Sequence, residues 1–131
     1  SEMCIRDREI ISQYDIVVDG CDNFSTRYLI NDICAKMGKV YVYGAICGFE
    51  GQVSVFHYGE EKKSYRDLYP DEEEMRRMPP PPKGVMGITP AVTGSIEATE
   101  VLKIICGFGE VLSGKLWTID LHTLQSNKFS L

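Results

Sequence analysis

The chain has 131 residues, 44% hydrophobic and 25% charged, the composition of an ordinary globular domain rather than a disordered chain. No window approaches the ~18 apolar residues of a membrane span, which argues against a membrane protein. Fourteen Lys and Arg against 19 Asp and Glu leave a formal charge of −5, the wrong sign for a nucleic-acid footprint.

Taken in chain order, residues 1–8 (SEMCIRDR) show neither helix nor strand periodicity. They resemble a translated transposase-adapter oligonucleotide, so a non-native leader is expected there, with native sequence starting near Glu9. Residues 14–19 (YDIVVD) form a short apolar run closing on Asp-Gly, which predicts a buried strand of the parallel type. A helix is predicted over about 25–37. Leu29, Ile30, Ile33, Cys34 and Met37 recur at helical spacing there, and Gly38 supplies the stop. Residues 40–43 (VYVY) are the next strand. Strand, helix and strand within about thirty residues make a βαβ unit with parallel strands.

Gly44, Gly48 and Gly51 read as a turn region. A strand over 52–56 follows, with Val53 and Val55 on one buried face. Periodicity lapses over 59–84. Residues 60–74 carry seven acids against three bases, and 79–82 read as a polyproline stretch. Such a segment within a compact domain serves as a lid or a crossover, or is disordered. A second helix is predicted over 90–106, with Val92, Ile96, Thr99 and Leu102 on a mostly apolar face, and Gly107 closes it. Two strands, 115–120 and 126–131, end the chain. The five cysteines, Cys4, Cys21, Cys34, Cys47 and Cys106, form no CxxC and lie mostly in apolar runs. They read as small buried thiols in a reducing compartment.

The densest candidate site is residues 19–27 (DGCDNFSTR), where the first strand's carboxyl end runs into a helix N-terminus. Ligands of open α/β sheets bind at that position. Free backbone N–H groups and the positive helix end favour phosphate there. Asp19 and Asp22 could together hold Mg²⁺, a hard cation that takes carboxylate and phosphate oxygens. The same string also reads as a capping loop, with Asn23 or Ser25 as N-cap and Asp22 facing the dipole.

Residues 14–56 resemble the middle of the HesA/MoeB/ThiF family, bacterial relatives of ubiquitin-activating enzymes. The likeness rests on the D-N-x-x-x-R core (Asp22, Asn23, Arg27), the helix that follows (Asn31, Asp32, Cys34) and the EGQV strand (Glu50, Val53). PAVTGSIEATEVLKII and LSGKLWTID then follow in family order. The resemblance implies an α/β fold: a Rossmann-like mixed sheet with flanking helices. Residues 9–131 would be the C-terminal part of the family domain, with a crossover loop over 59–86. It also implies an ATP-dependent adenylyltransferase that activates the C-terminal Gly-Gly carboxylate of a ubiquitin-like sulfur carrier, for thiamine or molybdopterin synthesis.

In that reading Asp22 is the catalytic residue and contacts ATP and Mg²⁺, with Asn23 beside it. Arg27 organises the nucleotide loop by pairing with a carboxylate, and Asp19 is a further Mg²⁺ candidate. The carrier's tail would thread under the crossover loop. A cytoplasmic homodimer without nucleic-acid or membrane partners is expected. The alternative is a non-catalytic module that docks a ubiquitin-like protein. A dinucleotide oxidoreductase would need G-x-G-x-x-G, a string this sequence lacks.

Two departures from the family pattern carry consequences. Where many members place a zinc-binding CxxC, this chain has Ser64 and Asp67, which cannot replace soft thiolates, so no zinc site is expected. Residues 79–87 (PPPPKGVMG) contain no cysteine, which excludes a thioester step at that position. The family's phosphate-binding glycine turn and catalytic cations precede the D-N motif by many residues, and this chain offers only about twenty residues before Asp22. The fragment alone is therefore expected to be inactive.

Overall fold

A computed structural model describes residues 2–79, 84 and 86–131, with the backbone alone for 2–4. The polyproline expectation at Pro80, Pro81 and Pro82 lies outside the described residues.

The chain runs α1 (Glu2–Ile11), β1 (Ile16–Val18), α2 (Phe24–Met37), β2 (Val40–Cys47), β3 (Glu50–Phe56), α3 (Tyr65–Leu68), α4 (Glu72–Arg77), α5 (Ile88–Cys106), β4 (Lys115–Asp120) and β5 (Gln125–Ser130). Among the described residues, β1 to β5 form one sheet in chain order. β1 and β2 are parallel, with Ile16 opposite Val40 and Val18 opposite Val42, because α2 crosses between them. The remaining pairs are antiparallel, which completes a mixed sheet. The expected Rossmann-like mixed sheet with flanking helices is what the chain adopts.

Helix α2 starts where Asn23 turns extended and its side chain accepts from Thr26 N. It stops at Gly38, whose φ of 66° is left-handed. α2, α3 and α4 cover one sheet face and α5 the other, so the chain changes face between α4 and α5. Strand alternation supplies both cores. Tyr41, Tyr43 and Phe56 pack with Tyr28, Tyr65 and Met75 on the α2 face. Val42, Val53 and Val55 pack towards Ile96, Val101 and Ile104 of α5. The α2 face is mostly aromatic. Tyr65 stacks on Tyr28 at 4.8 Å and on Tyr43 at 5.2 Å between ring centroids, each pair worth about 0.5–1.5 kcal/mol beyond its burial.

Several expectations need correction. Residues 2–11 are helical, where no helical period was read, and Ile11 anchors that helix in the core. β2 does not stop at Tyr43 but continues to Cys47, and Gly44 and Gly51 are ladder residues opposite Val53 and Ile46. The turn is only Gly48–Phe49, where Gly48 takes a φ of 60°. Gly44 and Gly51 instead let α5 approach: a Cβ at Gly44 would strike the Glu97 carboxyl, and one at Gly51 the Thr93 hydroxyl.

The segment read as aperiodic contains α3 and α4, at four and six residues too short to display a helical period. Ser64 and Asp67 form a capping box that starts α3. On α5 the buried stripe is polar, Thr89, Thr93, Glu97 and Glu100, while Leu102 and Ile105 face outward. Of the cysteines, Cys34 is buried and Cys21 half-buried, but Cys47 and Cys106 are exposed.

Candidate functional site

β1 delivers Asp19 to the start of the loop. The Asp19 backbone N–H donates to Val42 O at 2.9 Å, which extends the parallel pairing by one residue. Its carboxylate is wholly enclosed and accepts four hydrogen bonds. Oδ2 receives Arg27 Nε at 3.2 Å and Tyr41 OH at 2.9 Å. Oδ1 receives the Cys21 backbone N–H at 2.9 Å and the Cys21 thiol at 2.8 Å. Arg27 also donates to Cys21 O at 2.9 Å and lies over the Tyr43 ring at 5.7 Å. The guanidinium thus neutralises Asp19 and fixes the loop backbone at once. Burial, followed by the neighbouring Asp19 carboxylate, pushes the Cys21 thiol up to about 12. It remains a protonated donor rather than a nucleophilic thiolate.

Asp22 and Asn23 face the other way. Both are exposed. The Asn23 side chain accepts from Thr26 N at 2.8 Å, so it is the helix cap, and its amide donates to Asp22 Oδ1 at 3.3 Å. The remaining lone pairs of Asp22 are open to solvent beside the positive end of α2. Asp19 and Asp22 are therefore not brought together as a ligand pair. Turning Asp19 outward would break its pair with Arg27. Among the described residues no cluster of three or more His, Cys, Asp or Glu forms a metal centre. A single open carboxylate fits Mg²⁺ nevertheless, since this ion keeps several waters and takes the rest of its shell from phosphate oxygens.

Behind the loop, on the α5 face, lies a cavity of about 230 Å³ lined by Gly20, Gly44, Ala45, Gly94, Thr93 and Glu97, among others. Burial, reinforced by Asp19 and opposed by Arg27, pushes the Glu97 carboxyl up to about 8. The sequence reading missed Glu97 and Thr93. Their signal was four polar residues at helical spacing within an otherwise apolar helix. A second hollow of about 390 Å³, between Arg8 and the Leu29–Lys36 side of α2, shares no residue with the loop.

The next part of α2 anchors the acidic segment. The Asn31 side-chain oxygen accepts from Tyr65 N at 2.9 Å and from Ser64 Oγ at 3.3 Å. Arg66 grips Asp32 with two bonds, at 2.9 and 2.7 Å, and holds that carboxyl below its ordinary range. Arg66 also lies over the Tyr28 ring at 4.9 Å. Asn31 and Asp32 thus belong to the attachment of α3, while Asp22 belongs to the open site.

The model of the ThiF family matches residues 2–131. A probable molybdopterin-synthase adenylyltransferase of Pyropia yezoensis is 46% identical over 125 residues, covering 94% of this chain and 33% of the relative. A sulfur carrier protein adenylyltransferase of Thermus thermophilus is 46% identical over 135 residues, covering 94% of this chain and 47% of the relative. The chain thus spans a third to a half of these relatives. The crystal structure of E. coli MccB with ATP superposes on 95% of this chain and 39% of its own, with a TM-score of 0.75 at 17% identity, a likeness of fold.

Proposed function

This chain belongs to the ThiF family, and from that premise we propose that it is part of an ATP-dependent adenylyltransferase acting on a ubiquitin-like sulfur carrier. It corresponds to the C-terminal part of the domain, with 59–86 as the crossover segment. The carrier serves molybdopterin or thiamine synthesis. One observation carries the reading: Asp22 presents an open carboxylate at the N-terminus of α2, on a loop that the Asp19–Arg27 pair locks from within.

In the reaction the carrier's terminal carboxylate attacks the α-phosphorus of ATP. The bond to the bridging oxygen breaks, pyrophosphate leaves and an acyl adenylate forms. Mg²⁺ held by Asp22 would offset phosphate charge. The chain's own contribution is positional. Asn23 caps α2 and steadies Asp22 through its amide, so that the helix end and the carboxylate keep one geometry. Arg27 is spent on Asp19 and Cys21 O and acts as a positioning residue. Engaged in this way, Arg27 is not free to stabilise the charge that develops on the transferring adenylyl group.

Carrier-dependent exchange of labelled pyrophosphate into ATP, in a full-length adenylyltransferase carrying this segment, tests the reading. Exchange that depends on Asp22 supports it. Carrier binding without exchange would favour the docking module.

A further inference from the structure

Tyr65 is the most deeply enclosed side chain of α3 and α4. Its ring stacks on Tyr28 at 4.8 Å and on Tyr43 at 5.2 Å, and it meets Tyr69 edge-on at 5.4 Å. Tyr43 is shared, because the Arg27 guanidinium lies over the same ring at 5.7 Å. Burial pushes the Tyr65 phenol up and the Arg27 guanidinium opposes the shift, so the two groups face each other. Yet the hydroxyl closes no hydrogen bond among the described residues. What the interior uses is the ring.

Two neighbours on α2 seat that ring. Asn31 Oδ1 accepts from Tyr65 N at 2.9 Å and from Ser64 Oγ at 3.3 Å, and His57 Nε2 reaches it at 3.0 Å. Arg66 takes Asp32 in a two-bond grip at 2.9 and 2.7 Å and adds Glu72 Oε2 at 3.2 Å. A planar fork on a carboxylate fixes direction as well as distance. The grip lies at the surface, with its side chains 40% and 48% exposed. The ring that it seats lies in the core. Arg66 can therefore be changed without opening a hole in the interior.

Beyond Tyr43 stands the Asp19–Arg27 pair, whose strength depends on dryness, since salt and water weaken buried pairs far less than exposed ones. We infer that Tyr65 is a positioning residue for the Asp22 loop: seated by the Arg66–Asp32 grip, its ring keeps water from the Arg27–Asp19 pair, so that lifting α3 from α2 loosens residues 19–23. The loop and the acidic segment are thereby coupled, and coupling of this kind acts in both directions. A partner that engages α3 alters the setting of Asp22 without touching it. That the loop serves a nucleotide rests on the adenylation reading; the coupling rests on the contacts.

The test is the rate at which iodoacetamide labels each cysteine of the 131-residue chain at about pH 8, read by mass spectrometry. Cys21 reports the lock, because its thiol donates to Asp19 Oδ1 at 2.8 Å. Buried Cys34 reports general unfolding, and exposed Cys106 supplies the reference rate. Labelling of a protected thiol follows the population of the open form. Arg66→Gln should speed Cys21 about fivefold, the scale of one half-exposed ion pair, and leave Cys34 within about twofold of the parent. Arg66→Lys should fall between the two, because an ammonium cannot fork. Tyr65→Leu should speed Cys21 further, and Tyr65→Phe, which keeps the ring, should match the parent. Cys21 unchanged in Arg66→Gln, Cys34 accelerated there as much as Cys21, or Tyr65→Phe as fast as Tyr65→Leu would each overturn the inference. Should Tyr65→Leu fail to fold, Arg66→Gln and Tyr65→Phe decide it. The adenylation reading fails by a different measurement, undiminished pyrophosphate exchange in Asp22→Ala.

Discussion

Arg27 Nε lies 3.2 Å from Asp19 Oδ2 in an ion pair whose side chains are 9% and 0% exposed. Water screens such a pair little, and removing one partner strands the other charge in the interior. Arg27→Met should destabilise the chain by about 3–5 kcal/mol in urea denaturation. Arg27→Lys should recover only part of that loss, because an ammonium cannot reproduce the planar fork that spans Asp19 and Cys21 O. A loss below about 1 kcal/mol would place the pair among weakly coupled surface contacts.

Asp22 should behave in the opposite way. Its carboxylate is exposed, and among the described residues only the Asn23 amide hydrogen-bonds to it. Asp22→Ala should therefore stay within about 0.5 kcal/mol of the parent in stability. In the full-length protein the same change should lower carrier-dependent pyrophosphate exchange by at least about a hundredfold. Normal exchange would remove Asp22 from the catalytic assignment.

Ser64 and Asp67 form the capping box of α3, with Ser64 Oγ accepting from Arg66 N at 3.0 Å and Asp67 Oδ2 from Ser64 N at 2.8 Å. Ser64→Ala should cost about 1 kcal/mol and loosen the acidic segment, seen as faster amide exchange in α3. Elemental analysis should find no stoichiometric zinc, and a chelator should leave the melting temperature unchanged. One zinc per chain would mean that the ligands lie elsewhere.

The strand–helix–strand unit was legible because its signals are local. An apolar run, a 3.6-residue period and a terminal glycine lie within each element. α3 and α4 were not legible, because one or two turns cannot show a period. The polar inner stripe of α5 was hidden for another reason. It makes sense only against Gly44 and Gly51, more than forty positions away, whose missing side chains read as turns until the sheet is seen. The site divided in the same way. A cap at Asn23 or Ser25 follows from neighbours in sequence, and the fold selects Asn23. The inward turn of Asp19 depends on Tyr41, which reaches it only across the parallel pair.

β1 is an edge strand with Val18 49% exposed, and Leu102 and Ile105 lie 53% and 67% exposed on the outer face of α5. Open edges and apolar surface promote association. The 131-residue chain should elute from size exclusion as dimers or larger species in a concentration-dependent manner. A monomer up to about 100 μM would show that these surfaces do not drive self-association.

Glu97 gives the fold a pH dependence of unusual sign for an acid. Its carboxyl titrates near 4.5 when free and at about 8 in the folded chain, chiefly through burial and secondarily through Asp19. A raised folded-state value means that the folded chain holds a proton that the unfolded chain has released. The stabilising contribution is therefore complete below about pH 4.5 and is lost as pH rises towards 8. Each pH unit within that window costs up to about 1.4 kcal/mol, so a few kcal/mol disappear by mildly alkaline pH. Glu97→Gln removes the titration and keeps the shape. Its advantage over the parent should grow from about pH 5 to pH 8 and then level off, as followed by urea denaturation at each pH. An advantage that shrinks with rising pH would mean that Glu97 is ionised in the folded chain and has a partner for its charge.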